Sequence, residues 1–245
     1  MDFSILAIPD HEPAPNSCIA LLGGGGKTGL QQRLGWELSH QHNRVLLTSI
    51  TKSAFHSEPK IICRAEIVDD DLSPWFTRHN PLCVMGTGLN THKVKGIKIA
   101  ELEQFKNQAD ITIVECDGAR NRPLKVHRDH DPLVPDFFDQ VIVIVGADVV
   151  GTTLSQGLVH RPELFATYWG IADNFVLTST FIAEVVTSQK GYSSKIPSHL
   201  PRTYFVNKTD AHPGQASALA RAIFTVSGQP TWYGSVQKDS LTRVT

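Results

Sequence analysis

The stretch that decides the fold is ALLGGGGKTGLQQRL, residues 20–34. An apolar run enters four consecutive glycines, residues 23–26, and Lys27 and Thr28 follow at once. Leucines at four-residue spacing then predict one face of a helix. A glycine loop between a strand and a helix brings backbone N–H groups and the positive end of the helix to one place. The stretch therefore predicts a phosphate-binding loop.

The two residues after the glycines have specific expected roles. Lys27 would reach the β- and γ-phosphates of a nucleotide, and the hydroxyl of Thr28 would bind Mg²⁺. The standard spacing G-x-x-x-x-G-K-[ST] requires glycine at position 21, where this chain has Leu21. The loop is therefore either shorter or differently shaped. The alternative is a flexible turn followed by a solvated lysine.

Apolar strand-like runs alternate with helical patterns along nearly the whole chain. This order predicts an α/β fold with a mostly parallel sheet and helices on both faces, like that of P-loop NTPases. We expect an irregular N-terminal lead-in over residues 1–17 and a single P-loop NTPase-like domain over residues 18–245. In such sheets ligands bind beyond the carboxyl ends of the strands, so functional residues are expected there.

One predicted strand end is acidic. The run ITIVECDGAR, residues 111–120, places Glu115 and Asp117 two residues apart, so they share one face of a strand. The pattern resembles a Walker B segment, whose carboxylate binds Mg²⁺. We predict Asp117 as the metal ligand and Glu115 as a second ligand or a water-orienting base. Either carboxylate could instead cap a turn.

The run FVNKTD, residues 205–210, contains the N-K-x-D pattern of guanine recognition. Asp210 would accept hydrogen bonds from the guanine edge, Asn207 would bind the base edge and brace the loop, and the Lys208 stem would lie over the ring. Adenine presents no matching donor pair. A polar turn that closes a strand is the alternative.

Hydroxyl and basic side chains at further strand ends are weaker candidates. Arg120 follows the acidic pair and is a candidate catalytic residue. A further set of residues could contact a substrate or act as a switch: Thr48, Thr51, Arg122, Lys125, His160 and Arg161. The alternative is that the threonines only pack in the core and that the charged residues form a solvated face.

Composition excludes several classes of partner. The net charge is −1, so no overall field favours nucleic acid or an anionic membrane. The N-terminus has no basic segment of a signal peptide, and no apolar run approaches the ~20 residues of a membrane span. Four scattered cysteines show no metal-ligand spacing. We expect a cytoplasmic protein with neither nucleic acid nor membrane as a partner.

Taken in order, LLGGGGKTGL, LLTSITK, IVECDGARNRPLKV, HDPLVPDFFDQVIVIVGADVVG, VHRPELF and FVNKTD resemble the YqeC family. The resemblance implies a P-loop NTPase-like fold and an accessory role in maturing selenium-dependent molybdenum hydroxylases or in selenium cofactor biosynthesis. A hydroxylase or a cofactor-synthesis protein is then the implied partner. The implied site residues are Lys27, Thr28, Glu115, Asp117, Arg120, Lys125, His160 and Arg161.

The leading hypothesis is a Mg²⁺-dependent NTPase that uses GTP or ATP. A small-molecule kinase or nucleotidyl transferase of the same fold is the first alternative. A binding module that holds a phosphate-bearing cofactor without turnover is the second, and it stays open because no glutamine suited to positioning the attacking water is evident.

Overall fold

The central element of the molecule is a nine-stranded sheet, seen in a computed structural model that describes residues 1–7, 14–54, 58–90, 93–131 and 134–245. In chain order, the strands among the described residues are β1 (Ser17–Gly23), β2 (Val45–Ser49), β3 (Ser53–Ala54), β4 (Ile61–Cys63), β5 (Leu82–Met85), β6 (Gly88–Asn90), β7 (Lys93–Val94), β8 (Ile111–Glu115), β9 (Leu124–Lys125), β10 (Gln140–Gly146), β11 (Val159–His160), β12 (Arg202–Asn207), β13 (Thr231–Ser235) and β14 (Ser240–Arg243). The helices are α1 (Lys27–Ser39), α2 (Ile99–Lys106), α3 (Pro162–Trp169), α4 (Ser179–Thr187) and α5 (Pro213–Ser227).

The strand order in the large sheet is β14-β13-β12-β10-β1-β8-β2-β5-β4. All neighbouring pairs are parallel except β13 and β14, which are antiparallel. The prediction of an α/β fold with a mostly parallel sheet is confirmed. The strand before the glycine run, β1, lies between β8 and β10, so the glycines and the acidic strand end are neighbours.

Helices cover both faces of the sheet, as the alternation of strand residues requires. Ile19 and Leu21 of β1 face the core layer under α1, whereas Ala20 and Leu22 face the layer that contains residues of α2, α3, α4 and α5. The predicted helical face of α1 is correct, because its leucines at 30, 34 and 38 are fully buried. Each such burial stabilises the fold by ~1.5–3 kcal/mol.

Residues 1–7, within the predicted lead-in, contribute to the core. Phe3 and Leu6 are fully buried, and the Phe3 ring packs edge-on against Phe205 with centroids 5.9 Å apart. Glu37 of α1 accepts hydrogen bonds from the N–H groups of Phe3 and Ser4, at 2.6 and 2.8 Å. Residues 8–13, also in the predicted lead-in, lie outside the described residues.

The edge strand β14 was not expected from the sequence. It contains one buried apolar residue, Leu241, and therefore has no apolar run of its own; pairing with β13 orders it. Among the described residues, the helices are too short and too polar for any of them to cross a lipid bilayer.

Candidate functional site

The carboxyl ends of β1, β8, β10 and β12 meet at one large cleft with a volume of about 1890 Å³. Parallel strands end at the same edge of a sheet, which explains why sequence-distant residues converge here. The sequence-predicted residues that line the cleft are Gly24, Gly25, Gly26, Lys27, Thr28, Thr51, Glu115, Asp117, Arg120, Arg122, His160, Arg161, Asn207, Lys208 and Asp210. Gly23, Thr48 and Lys125 are predicted residues outside this lining.

The first three glycines of the loop donate their N–H groups to other atoms of the protein. The N–H of Gly23 donates to Asp117 Oδ2 at 2.9 Å, that of Gly24 to the Ile144 carbonyl at 2.9 Å, and that of Gly25 to the Arg122 carbonyl at 3.1 Å. A β-carbon on Gly24 would overlap the Arg122 carbonyl. These three glycine N–H groups therefore do not face an anion as a phosphate-binding loop predicts, because they bind the Asp117 side chain and two neighbouring carbonyls.

The remaining N–H groups lie at the start of α1. The first helical hydrogen bond runs from the Leu30 N–H to the Gly26 carbonyl at 3.0 Å, so the N–H groups of Gly26, Lys27 and Thr28 precede it. Gly26, at φ 121°, adopts a backbone conformation that favours glycine at this helix start. An anion at this point would meet three N–H donors and the positive end of the helix dipole.

Lys27 is folded into the base of the loop. Its ammonium is 6% exposed, donates to the Gly23 carbonyl at 2.6 Å, and lies 3.1 Å from Asp117 Oδ1. The second contact is an ion pair whose angles do not form a hydrogen bond, so Oδ1 keeps an unused acceptor position. This arrangement places a positive charge directly under the α1 N-terminus.

Asp117 is the centre of a buried charge cluster. His127 Nε2 donates to its Oδ2 at 2.7 Å, and Lys125 Nζ lies 3.4 Å from the same oxygen. Burial alone would raise the pKa of Asp117, but Lys27, Lys125 and His127 together hold it well below its usual value. Asp117 is therefore ionised at neutral pH and oriented by these donors. Its binding of Mg²⁺ stays a prediction.

Glu115 presents the clearest unoccupied ligand atom. Its side chain is buried, and Oε1 has no hydrogen-bond partner among the described residues. Burial raises the pKa of Glu115, against the opposing effects of Lys27 and the Thr28 hydroxyl. The Thr28 hydroxyl and a carboxylate oxygen are suitable Mg²⁺ ligands, since Mg²⁺ takes one or two carboxylates and completes its shell with phosphate and water. Within the described ranges, no three His, Cys, Asp or Glu side chains form a metal cage.

Lys125 extends the charge cluster away from the loop. Its ammonium is fully buried and donates to the Gly118 carbonyl at 2.9 Å and to Asp131 Oδ2 at 3.1 Å. Arg161 donates to the same Asp131 oxygen at 2.7 Å. Because Lys125 is fully buried and lies outside the cleft lining, it does not have the exposed position expected of a substrate contact. Its side chain links Asp117, through Asp131, to the arginine that precedes α3.

Three residues of the site are not among the predicted site residues. His127 stacks edge-on against Tyr192 with centroids 4.4 Å apart, and burial lowers its pKa despite the adjacent Asp117 carboxylate. Asp131 and Asp148 are acidic partners of basic residues. The available signal for His127 was its two-residue spacing from Lys125, which puts both on one face of an extended segment.

The opposite side of the cleft carries the N-K-x-D residues. Asn207 Nδ2 donates to the Gly25 carbonyl at 2.8 Å and so braces the glycine loop. Lys208 donates to Asp148 Oδ2 at 2.6 Å, and Asp210 is exposed at the cleft. The turn after β13 lines the same side, with its Val236 N–H bonded to Asn207 Oδ1 at 3.2 Å. That turn has no side-chain signature, so the sequence did not reveal it.

The two predicted threonines have different positions. Thr48 is fully buried, and its hydroxyl donates to the Val84 carbonyl at 2.6 Å. It therefore joins β2 to β5 and does not reach the cleft, contrary to the expected switch role. Thr51 lies beyond the strand end and lines the cleft.

Comparison with known proteins adds two findings. The family model described as YqeC protein matches residues 19–163. The chain is also 26% identical over 246 residues to a protein of Escherichia coli (strain K12) named "Uncharacterized protein YqeC", covering 97% of this chain and 94% of that protein.

Proposed function

The chain belongs to the YqeC family, and we propose from the geometry of its cleft that it carries out Mg²⁺-dependent hydrolysis of GTP or ATP. The observation that carries the proposal is the pairing of two features. The first N–H groups of α1 precede its first helical hydrogen bond, and the buried Lys27 ammonium lies 2.6 Å from the Gly23 carbonyl and 3.1 Å from Asp117. Together they form a site for a polyphosphate anion.

In this proposal, the phosphates and the base of the nucleotide bind on different sides of the cleft. The N–H groups at the α1 N-terminus and Lys27 would hold the phosphates. Thr28 and Asp117 would hold Mg²⁺, which neutralises charge on the phosphate oxygens, and Glu115 would be a second ligand or the base that orients the attacking water. Asp210 and the turn after β13 would meet the base, and Lys208, fixed by Asp148, would flank it. Asn207 joins the two sides through Gly25 and Val236.

In hydrolysis, a water oxygen bonds to the γ-phosphorus as the bond from that phosphorus to the β–γ bridging oxygen breaks. The products are the nucleoside diphosphate and inorganic phosphate. The proton of the water would go to Glu115 when that carboxylate is not bound to the metal, because burial raises its pKa and leaves Oε1 free. Arg120 would stabilise charge on the transferred group.

Lys27→Ala tests the phosphate site. We expect GTP or ATP affinity to fall by about 10–100-fold, the equivalent of ~1.5–3 kcal/mol for one charge-assisted hydrogen bond. Calorimetry with Mg²⁺ and each nucleotide measures this. Lys60→Ala, which removes an exposed lysine outside the cleft, is the matched control. Equal nucleotide affinity in Lys27→Ala and wild type would contradict the proposal.

Asp210→Asn tests the choice of base. If guanine is the ligand, the variant binds GTP more weakly, leaves ATP unchanged and gains affinity for xanthosine triphosphate, whose base restores the complementary donor pattern. The same three titrations on wild type decide between GTP and ATP. A loss of ATP affinity in the variant would exclude guanine reading by Asp210.

Group transfer to a second ligand is the other candidate, and it is favoured by the basic residues Arg120, Arg122 and Arg161 in a cleft larger than one nucleotide needs. Product analysis separates the possibilities. Inorganic phosphate alone indicates hydrolysis, a modified small molecule indicates kinase or nucleotidyl transferase activity, and retention of a phosphate-bearing cofactor without nucleotide turnover indicates a binding module.

The resemblance to the family motivates one further part of the proposal, an accessory role for selenium-dependent molybdenum hydroxylases or selenium cofactor biosynthesis. A hydroxylase or cofactor-synthesis protein would be the partner. In a strain that lacks this gene, wild type is expected to restore hydroxylase activity and Lys27→Ala is not. Normal hydroxylase activity in the deletion strain would remove this part of the proposal.

A further inference from the structure

Left-handed backbone conformations at basic residues are concentrated at the cleft. Most non-glycine residues with positive φ in the described ranges are Asn, Asp or His, which tolerate this conformation. The exceptions are Arg120 (φ 48°), Arg161 (φ 64°) and Lys208 (φ 73°), and all three line the cleft. A left-handed conformation costs such residues ~1–2 kcal/mol each, and strain of this kind collects at functional sites.

One histidine, His160, lines the cleft together with the two strained arginines, Arg120 and Arg161. Its partner across the β9–β11 strand pair is Lys125. Burial and these three cations lower the pKa of His160 to about 4, while Asp131 alone acts in the opposite direction. At neutral pH the ring is therefore uncharged.

Two further arginines line the same cleft. Arg122 and Arg128 are exposed and line the cleft. In the part of the chain that the structure describes, neither they nor Arg120 have a carboxylate within ion-pair distance. Guanidinium groups without an internal partner in a concave site are suited to bidentate binding of phosphate or carboxylate.

We propose that Arg120, His160 and Arg161, with Arg122 and Arg128 at the rim, form a second ligand site for a small molecule that carries a dianionic phosphate-type group. The volume of the cleft, about 1890 Å³, exceeds the ~300–1,000 Å³ of an ordinary small-molecule site and accommodates two ligands. Only the position of this site beside a nucleotide rests on the proposed function; its anion chemistry does not.

The second site is physically joined to the glycine loop. The Arg122 carbonyl accepts the Gly25 N–H at 3.1 Å, and the Pro123 carbonyl accepts the Gly146 N–H at 3.2 Å. The turn that carries Arg120 is thus fastened to the loop below the phosphate position. The phosphate-type group of the second ligand would therefore lie near the terminal phosphate of the nucleotide.

The experiment is calorimetric titration of the full chain with inorganic phosphate, with and without a saturating non-hydrolysable GTP analogue and Mg²⁺. The analogue fills the γ-phosphate position, so phosphate can then bind only elsewhere. Wild type is expected to bind phosphate in both conditions. Arg120→Gly is expected to reduce the affinity about tenfold or more, and Arg120→Lys to restore part of it. Glycine accepts positive φ, so the fold is expected to persist, which thermal unfolding checks.

Arg221→Ala, which removes an exposed arginine on α5 outside the cleft, is the control and is expected to bind phosphate as wild type does. The proposal is overturned if wild type binds no phosphate, if the bound analogue abolishes phosphate binding, or if Lys27→Ala removes that binding while Arg120→Gly leaves it intact. If neither GTP nor ATP binds but phosphate binding still depends on Arg120, the nucleotide function fails and the second site stands.

Discussion

The two sides of the cleft use their positive charges differently. On the nucleotide side, Lys27 lies 3.1 Å from Asp117, and Lys208 lies 2.6 Å from Asp148. On the arginine side, Arg161 is paired with Asp131 at 2.7 Å, whereas Arg120 and Arg122 have no carboxylate partner among the described residues. Paired cations are held in place before a ligand arrives, whereas unpaired guanidinium groups remain available to it. The two proposed sites would therefore differ, with ion pairs fixing the cations of the first and leaving two arginines of the second free to adapt.

We expect the largest change in stability from replacing Asp117, which pairs with two lysines on the nucleotide side of the cleft. Asp117→Asn removes the charge that compensates the buried Lys27 and Lys125 ammonium groups, and we expect the free energy of unfolding to fall by ~3–5 kcal/mol. Urea unfolding at pH 7 measures the change. The linked pH effect has a definite sign: because the folded-state pKa of Asp117 is depressed, its stabilisation is present above pH ~4 and is lost as the pH falls further.

Glu115→Gln is the matched control for that change, two residues away on the same strand end. Burial raises the pKa of Glu115 and Oε1 has no partner, so neutralising the side chain removes little or relieves desolvation. We expect a change in unfolding free energy of less than about 1 kcal/mol. Similar destabilisation by both variants would show that Asp117 has no special place in the charge cluster.

An intermediate effect is expected on the arginine side, from His160. Its folded-state pKa of about 4 lies below the ordinary value of ~6.5, so the unfolded chain binds the extra proton. The contribution to stability is full above pH ~6.5 and is lost as the pH falls towards 4. Solvent screening of this partly exposed ring reduces the effect to about 1 kcal/mol.

His160→Gln should flatten the dependence of unfolding free energy on pH between 6.5 and 4, measured by urea titration at several pH values. Some slope should remain, because burial lowers the pKa of His127 as well. A slope identical to that of wild type would mean that neither burial nor the nearby cations lower the pKa of His160 in solution.

We expect the smallest change in stability from relieving the left-handed backbone conformation of Arg120. Arg120→Gly places glycine at φ 48° and should raise the free energy of unfolding by ~0.5–1 kcal/mol, because the left-handed conformation no longer opposes a β-carbon. Asn121→Gly, at φ 60°, is the neighbouring control and should change stability less, since asparagine tolerates this conformation. Destabilisation by Arg120→Gly would instead show that its side chain contributes packing that outweighs the strain.

Local patterns predicted the sheet, the helices on both faces and the cleft. The reason is that parallel strands converge at their carboxyl ends, so the sequence positions of Gly26, Glu115 and Asn207 already imply proximity. Burial of individual side chains was harder to predict. Thr48 and Lys125 have the residue types of a polar site, yet both are fully buried. Thr48 is hydrogen-bonded to β5, and the Lys125 ammonium lies among Asp117, Gly118 and Asp131.

The sequence by itself determined the α/β architecture and the position of the glycine loop before α1, because these follow from apolar periodicity and glycine geometry over short stretches. Only the tertiary structure decided which charges meet. Asp117 joins Lys27, His127 and Lys125 across loops whose lengths encode no distance, and Gly24 and Gly25 donate their N–H groups to carbonyls 120 and 97 positions further along the chain. Side-chain and backbone partners in a folded core depend on three-dimensional packing, which no local pattern specifies.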